Sequence, residues 1–168
     1  MIDAILRDLR QPEYMHALIN PLPVYGLAMA LLGLLIAFFL KNRRAQIVAL
    51  ILVLISAASA WPAYELGEQA YDRVFSMADR DGQIWLDEHL ARAERLINVF
   101  YLLGLLAAAG IFFPIKWPRL AAPLTVVVIL VGLATFGIGG YIAYAGGKVR
   151  HREFRNVPPP AERSDQKP

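Results

Sequence analysis

The sequence predicts an all-α membrane protein, with four transmembrane helices in a bundle and an N-terminal interfacial amphipathic helix. Three observations predict it. Hydrophobic residues fill 57% of the 168 positions, above the ~45–50% of a soluble domain. They concentrate in four runs, each near the ~20 residues a helix needs to cross the hydrocarbon core. The one long polar stretch, 65–94, has two of these runs before it and two after, so it emerges on the same membrane face as both termini.

The chain starts with an amphipathic pattern. Ile2, Ile5, Leu6 and Leu9 recur at helical spacing, while Asp3, Arg7, Asp8 and Arg10 take the other side, which describes a short helix with one apolar face. It is too polar for a signal peptide. Pro12 breaks it, a further turn or two carries Tyr14 and His16, and Asn20-Pro21-Leu22-Pro23 resets the backbone before the first span. Residues 1–20 are therefore read as N-terminal interfacial helices, 21–155 as the membrane domain and 156–168 as a disordered tail.

The spans fall at about 22–40, 45–64, 95–115 and 120–145. Lys41, Arg43 and Arg44 close the first, and Lys116-Trp117-Pro118-Arg119 forms a second short turn. Pro123 sits in the first turn of the fourth span, where a missing backbone N–H costs little. The tail lacks the apolar content to order itself. Small residues recur along the spans: Gly26, Ala30, Gly33 and Ala37; Ala49, Ser56, Ala60 and Ala63; Gly132, Thr135, Gly139 and Gly146. Lipid provides no hydrophobic drive between helices, so such stripes let backbones approach and predict a compact bundle. A slot for a flat cofactor is the alternative use of the same glycines.

Charge bounds the location. The short turns hold Lys41, Arg43, Arg44, Lys116 and Arg119 and no acid, whereas all 14 Asp and Glu lie on the opposite face or in its tails. That favours short turns in the cytoplasm, with the termini and 65–94 on the opposite side of the membrane. Lys148, Arg150, Arg152 and Arg155 on the opposite face weigh against it. The net charge of +3 reflects these helix ends, so no nucleic-acid partner is expected. The expected partners are the lipid bilayer and a protein docked on the polar face.

Composition also excludes chemistry. With no cysteine, disulfides, covalent c-type haem and thiolate metal sites are ruled out. The spans show Ser56, Ser59, Asn98, Tyr101, Thr125 and Thr135 as their polar members and no charge at depth, which argues against a pump or channel. No serine carries a nucleophile motif, and an enzyme is not expected. Asp79, Asp81, Gly82, Ile84 and Glu88 match part of an EF-hand calcium loop, but its first ligand position would be Met77. A solvated Asp-Gly turn, followed by a helix from about Trp85, accounts for the same residues.

The three histidines are the sharper signal. His16 lies about a turn above the first span, His89 about two turns above the third, and His151 just beyond the Gly-Gly end of the fourth, all on one face. Glu68, Glu88 and Glu153 accompany them, together with most of the tyrosines. Imidazoles from different helices can ligate a divalent transition metal, and a facing pair can ligate the iron of haem b. Interfacial His and Tyr also occur where rings only sit among headgroups or tie loops together. Metal, haem and a purely structural cap all remain open here.

The motifs H16-A-L-I-N-P-L-P-V-Y-G26, L66-G-E68, L86-D-E-H89 and G146-G-K-V-R-H-R-E153 together resemble a family of bacterial four-helix membrane proteins without a settled activity. The last motif is the most specific, since that family typically ends Gly-Gly-x-Ile-Arg-His-x-Glu. The resemblance implies that His16, Glu68, Glu88, His89, Arg150, His151 and Glu153 are the recurring polar positions. One departure is Asn20-Pro21, where the family usually has Asn-His, so a potential fourth ligand is missing. The resulting expectation is a bacterial inner-membrane protein whose cap, on the periplasmic side, binds a metal or haem through two or three of His16, His89 and His151, with Glu68, Glu88 and Glu153 as further metal ligands. The alternative is a structural or accessory subunit of a membrane complex with no cofactor.

Overall fold

The computed structural model describes residues 2–161, and its helices are α1 (Ile2–Asp8), α2 (Pro12–Ile19), α3 (Leu27–Phe39), α4 (Arg43–Ala58), α5 (Ala60–Met77), α6 (Arg80–Lys116) and α7 (Ala121–Arg150). A π-helical turn spans Leu22–Gly26, and single 3-10 turns span Pro118–Leu120 and Arg152–Phe154. No strand occurs among the described residues. Four helical stretches, Pro12–Phe39, Arg43–Met77, Arg80–Lys116 and Pro118–Arg150, are long and apolar enough to cross a membrane. The protein is thus an all-α, four-helix membrane bundle.

Prolines set the interruptions in the first two stretches. Pro21 and Pro23 cannot donate to the turn before them, and the chain passes from α2 through the π turn into α3. Pro62 likewise leaves the Ala58 carbonyl without its usual donor, and the helix is interrupted at Ser59, whose hydroxyl donates to Ser56 O at 2.7 Å. Pro114 lies inside α6, yet that helix continues. The carbonyl it orphans, Gly110 O, accepts a hydrogen bond from the Arg43 guanidinium at 2.6 Å.

The first short turn is a Schellman ending. Asn42 N–H bonds Ala37 O at 3.1 Å and Lys41 N–H bonds Phe38 O at 3.0 Å, with Lys41 in the left-handed region at φ 52°. Asn42 then caps α4 by accepting from Ala45 N–H at 3.1 Å.

In the bundle, α3 packs on α4 and α7, α4 on α6, and α6 on α7, which closes a ring around one core. Leu27, Leu34, Leu50, Val53, Leu103 and Val128 are fully buried there. The small-residue stripes mostly do what lipid physics predicts. A Cβ on Gly132 would lie 2.5 Å from Leu31, and one on Gly26 would lie 3.0 Å from the Ser56 hydroxyl. Gly33 is the exception, exposed with nothing within 4 Å, because the buried face of α3 runs through Leu27, Ala30, Leu31, Leu34 and Ala37. Large apolar side chains such as Leu105, Leu130 and Ile115 face outward, and lipid covers them.

The polar stretch 65–94 is helical nearly throughout. At ~1.5 Å per residue, the 37 residues of α6 extend about 55 Å, well beyond the ~30 Å hydrocarbon core. Its N-terminal part and the C-terminal turns of α5 therefore stand outside the bilayer as a helical hairpin turned at Ala78-Asp79, and α2 packs along α5. The helix expected from Trp85 starts at Arg80, because Asp79 caps it by accepting from Gly82 N–H at 2.9 Å. The Asp-Gly pair is consequently a helix start and no calcium-type loop forms. Residues 156–161 carry no regular structure, and the rest of the expected tail, 162–168, lies outside the described residues.

Candidate functional site

The cap encloses a cleft of about 780 Å³ between two walls, α2 with α5 and α6 with α7. His16 comes from the first wall and His89 from the second. Each wall seats its histidine in the same way. His16 Nδ1 donates to Ala63 O on α5 at 2.7 Å, and its ring lies against Gly67, one turn further along α5. His89 Nδ1 donates to Ile142 O on α7 at 3.0 Å, and its ring lies against Gly146, again one turn further. A Cβ on either glycine would come within 3.0 Å of the imidazole. The rings fit because those positions have no side chain.

Across the cleft the two imidazoles approach in an edge-on, T-shaped arrangement at 6.3 Å between centroids, with their planes 80° apart. With Nδ1 protonated and bound to a carbonyl, the neutral tautomer leaves Nε2 as an acceptor, an arrangement that fixes ligand histidines in metal sites. Two imidazoles that both bound one metal through bonds of about 2.0 Å would have centroids about 5–6 Å apart, depending on the angle between the bonds, and the observed spacing lies at the upper end of that range.

Deeper in the membrane the same histidines roof a smaller apolar pocket lined by Val24, Ala60, Ile97, Phe100, Gly139 and Ile142. At the opposite, outer end the cleft is bordered by Tyr14, Tyr71, Arg73 and Arg150. Tyr71 donates its hydroxyl to Asp87 at 2.5 Å, and Arg73 pairs with Glu13. Arg150 reaches the Met77 sulfur at 3.9 Å.

The other expected ligands do not join the pair. His151 lies at the rim, mostly exposed, stacked on Phe154 and bonded through Nδ1 to Glu153 at 2.9 Å. A backbone hydrogen bond, and after it the bond from His151, hold the Glu153 carboxyl below the usual range. Glu68 is exposed and accepts from the Tyr64 hydroxyl at 2.9 Å. Glu88 is paired with Arg92 at 2.8 Å, and Arg92 also donates to Tyr141 O on α7 at 2.9 Å. No group of three His, Asp or Glu placed to hold a metal exists among the described residues.

Behind the cleft a second core of Trp85, Leu86, Ala145 and Val149 fastens α6 to α7. Lys148, which reads as one more charge of the C-terminal flank, is 1% exposed. Its ammonium lies 4.2 Å from the Trp85 ring centre and 4.0 Å from that of Tyr144, and donates to the Tyr144 hydroxyl at 2.7 Å. Aromatic faces stabilise it in place of a carboxylate. Gly82 lets the end of α7 close in, since a Cβ there would lie 2.6 Å from Val149 O.

Arg155 locks that junction. It donates to Lys148 O at 2.7 Å and Val149 O at 2.8 Å, satisfying carbonyls at the end of α7, and to the Asp79 carboxylate at 2.9 Å. Arg152 reaches the same carboxylate at 2.8 Å. The Arg155 hydrogen bond, followed by that from Gly82 N–H, lowers the Asp79 pKa to about 2.

Gly146 stands in the sequence as one of the stripe glycines that could form a slot for a flat cofactor, whereas Gly67 and the Ala63 and Ile142 carbonyls carry no such signal. What Gly67 and Gly146 share, a place one turn beyond a carbonyl that receives a histidine, appears only in the fold. No protein-family model matches the chain, and comparison with curated proteins and with solved structures finds no match.

Proposed function

We propose that the cap holds a b-type haem between His16 and His89, and that the protein passes single electrons at the surface of a bacterial inner membrane. The observation that carries this is the 6.3 Å separation of two imidazoles from opposite walls, each with Nδ1 bound to a backbone carbonyl. Haem ligated by two histidines supplies one-electron chemistry at its iron. The chain's own residues supply the rest. The carbonyls of Ala63 and Ile142 orient the rings, and Gly67 and Gly146 set how closely each ring docks. The cleft volume of about 780 Å³ falls within the range of cofactor pockets, ~300–1,000 Å³. Arg150 at the rim would offer a cation to acidic groups of a bound cofactor. His151, Glu68, Glu88 and Glu153 take no part in ligation.

The cap faces the periplasm in this reading, supported by the basic, acid-free short turns on the other side. Membership of the four-helix family whose motifs this chain resembles belongs to the same proposal, since His16, His89, Gly67 and Gly146 fall in four of those motifs.

The test is optical. Protein purified from membranes in detergent is expected to show a Soret band, or to develop one on titration with haemin, and the oxidised form to give a low-spin bis-histidine EPR signal. Protein that stays colourless with haemin, and carries no stoichiometric transition metal by elemental analysis, overturns ligand binding in favour of an accessory subunit.

A further inference from the structure

At the end of the bundle away from the histidines lies a third cavity, of about 540 Å³, between the two short turns. Phe38, Phe39, Pro114 and Pro118 form its apolar side, and Lys41 and Arg43 its charged side. We propose that this cavity is a binding site for one anionic phospholipid, with the headgroup phosphate held by Lys41 and Arg43 and an acyl chain laid against Phe38 and Phe39.

Two features of the structure argue for this occupant. First, the fold gives these cations no carboxylate partner among the described residues. No Asp or Glu occurs in either short turn, and none of the ion pairs among the described residues involves Lys41, Arg43, Arg44, Lys116 or Arg119. A basic pocket between helices at a membrane interface suits a lipid phosphate. Second, the positions of the two cations are set by the fold: Arg43 is tethered through its bond to Gly110 O at 2.6 Å, and the Schellman turn at φ 52° fixes the Lys41 backbone with its side chain exposed. Phe39 is 73% exposed directly beside them, which presents an aromatic surface to the acyl region.

Lys41→Asn is the cleanest variant, because asparagine tolerates the left-handed region and removes the charge. Full-length protein in dodecylmaltoside micelles would be titrated with palmitoyl-oleoyl phosphatidylglycerol or with the matching phosphatidylcholine. The readouts are thermal stability and native mass spectrometry of bound lipid. The expected result is one tightly bound phosphatidylglycerol per chain, with affinity about fivefold weaker in Lys41→Asn and unchanged in Arg10→Gln, which removes a charge at the opposite end. Equal binding of the two lipids, or Lys41→Asn retaining the full preference, overturns the site. If inorganic phosphate at millimolar concentration stabilises the protein as much as the lipid does, the acyl contact is wrong and the lipid assignment falls.

Discussion

The two hairpins of this bundle follow one plan. In each, the first helix carries a histidine above the membrane, and the second offers a carbonyl and, one turn later, a glycine to receive it. His16 meets Ala63 O and Gly67, and His89 meets Ile142 O and Gly146. The hairpins differ in continuity. The second is made of two unbroken helices, α6 and α7, fastened by Arg92 and the Trp85 core. In the first, both helices are interrupted by proline, between Asn20 and Gly26 and at Ser59. An unbroken pair fixes its histidine rigidly, whereas a proline-broken pair lets α2 and α5 take a direction of their own above the bilayer. That difference allows a cleft to open between two walls built alike.

Removing either histidine breaks the comparison most severely. His16→Ala and His89→Ala are each expected to weaken haem retention more than about a hundredfold, since even second-shell changes cost ~10–100-fold. Haemin titration followed at the Soret band measures it. A pair that acts together predicts equal losses, and a large loss from His89→Ala with none from His16→Ala would place the ligand on the second hairpin alone.

Filling a notch comes next. Gly67→Val and Gly146→Val put atoms where a Cβ alone already lies 3.0 Å from the ring. Each is expected to lower haem affinity about tenfold and to broaden the EPR signal. Because the second hairpin is the stiffer, Gly146→Val should also lower thermal stability more than Gly67→Val, by about 1–3 kcal/mol of overpacking strain. Circular dichroism melting in detergent tests this order.

Arg43→Leu probes how α6 stays continuous. It leaves the Gly110 carbonyl unsatisfied beside Pro114, for a loss of about 1–3 kcal/mol with the haem spectrum unchanged. The Arg155–Asp79 lock gives a smaller effect that depends on pH. The Asp79 pKa is about 2 in the folded protein against an ordinary 3.8. Its contribution is therefore present above pH 4 and lost as pH falls towards 2. Asp79→Asn should flatten that part of the melting-temperature profile and leave the neutral-pH spectrum intact. The smallest effect is expected of His151→Ala, with an unchanged Soret band, because its ring is mostly exposed and bonded to Glu153.

Much of the site was legible as residues and little as geometry. His16 and His89 were visible because polar, ligand-capable side chains are rare in so apolar a chain. His151 looked equivalent to them by position, yet the bend after Arg150 leaves it at the rim. Glu68, Glu88 and Glu153 looked like ligands by proximity in sequence, and local partners hold all three. Lys148 looked like a surface charge, and Trp85, from 63 residues earlier in the chain, buries it.

The sequence by itself determined the membrane class, the four spans and the face on which polar chemistry gathers. Each of these follows from hydropathy and from where charges and prolines fall along the chain. Only the tertiary structure decided that two histidines meet, that two glycines make room for them, and that the polar stretch stands up as a helical wall. Those depend on which carbonyl lies opposite which ring across helices 47 and 53 residues apart in sequence, a relation that packing of the bundle creates and local composition does not encode.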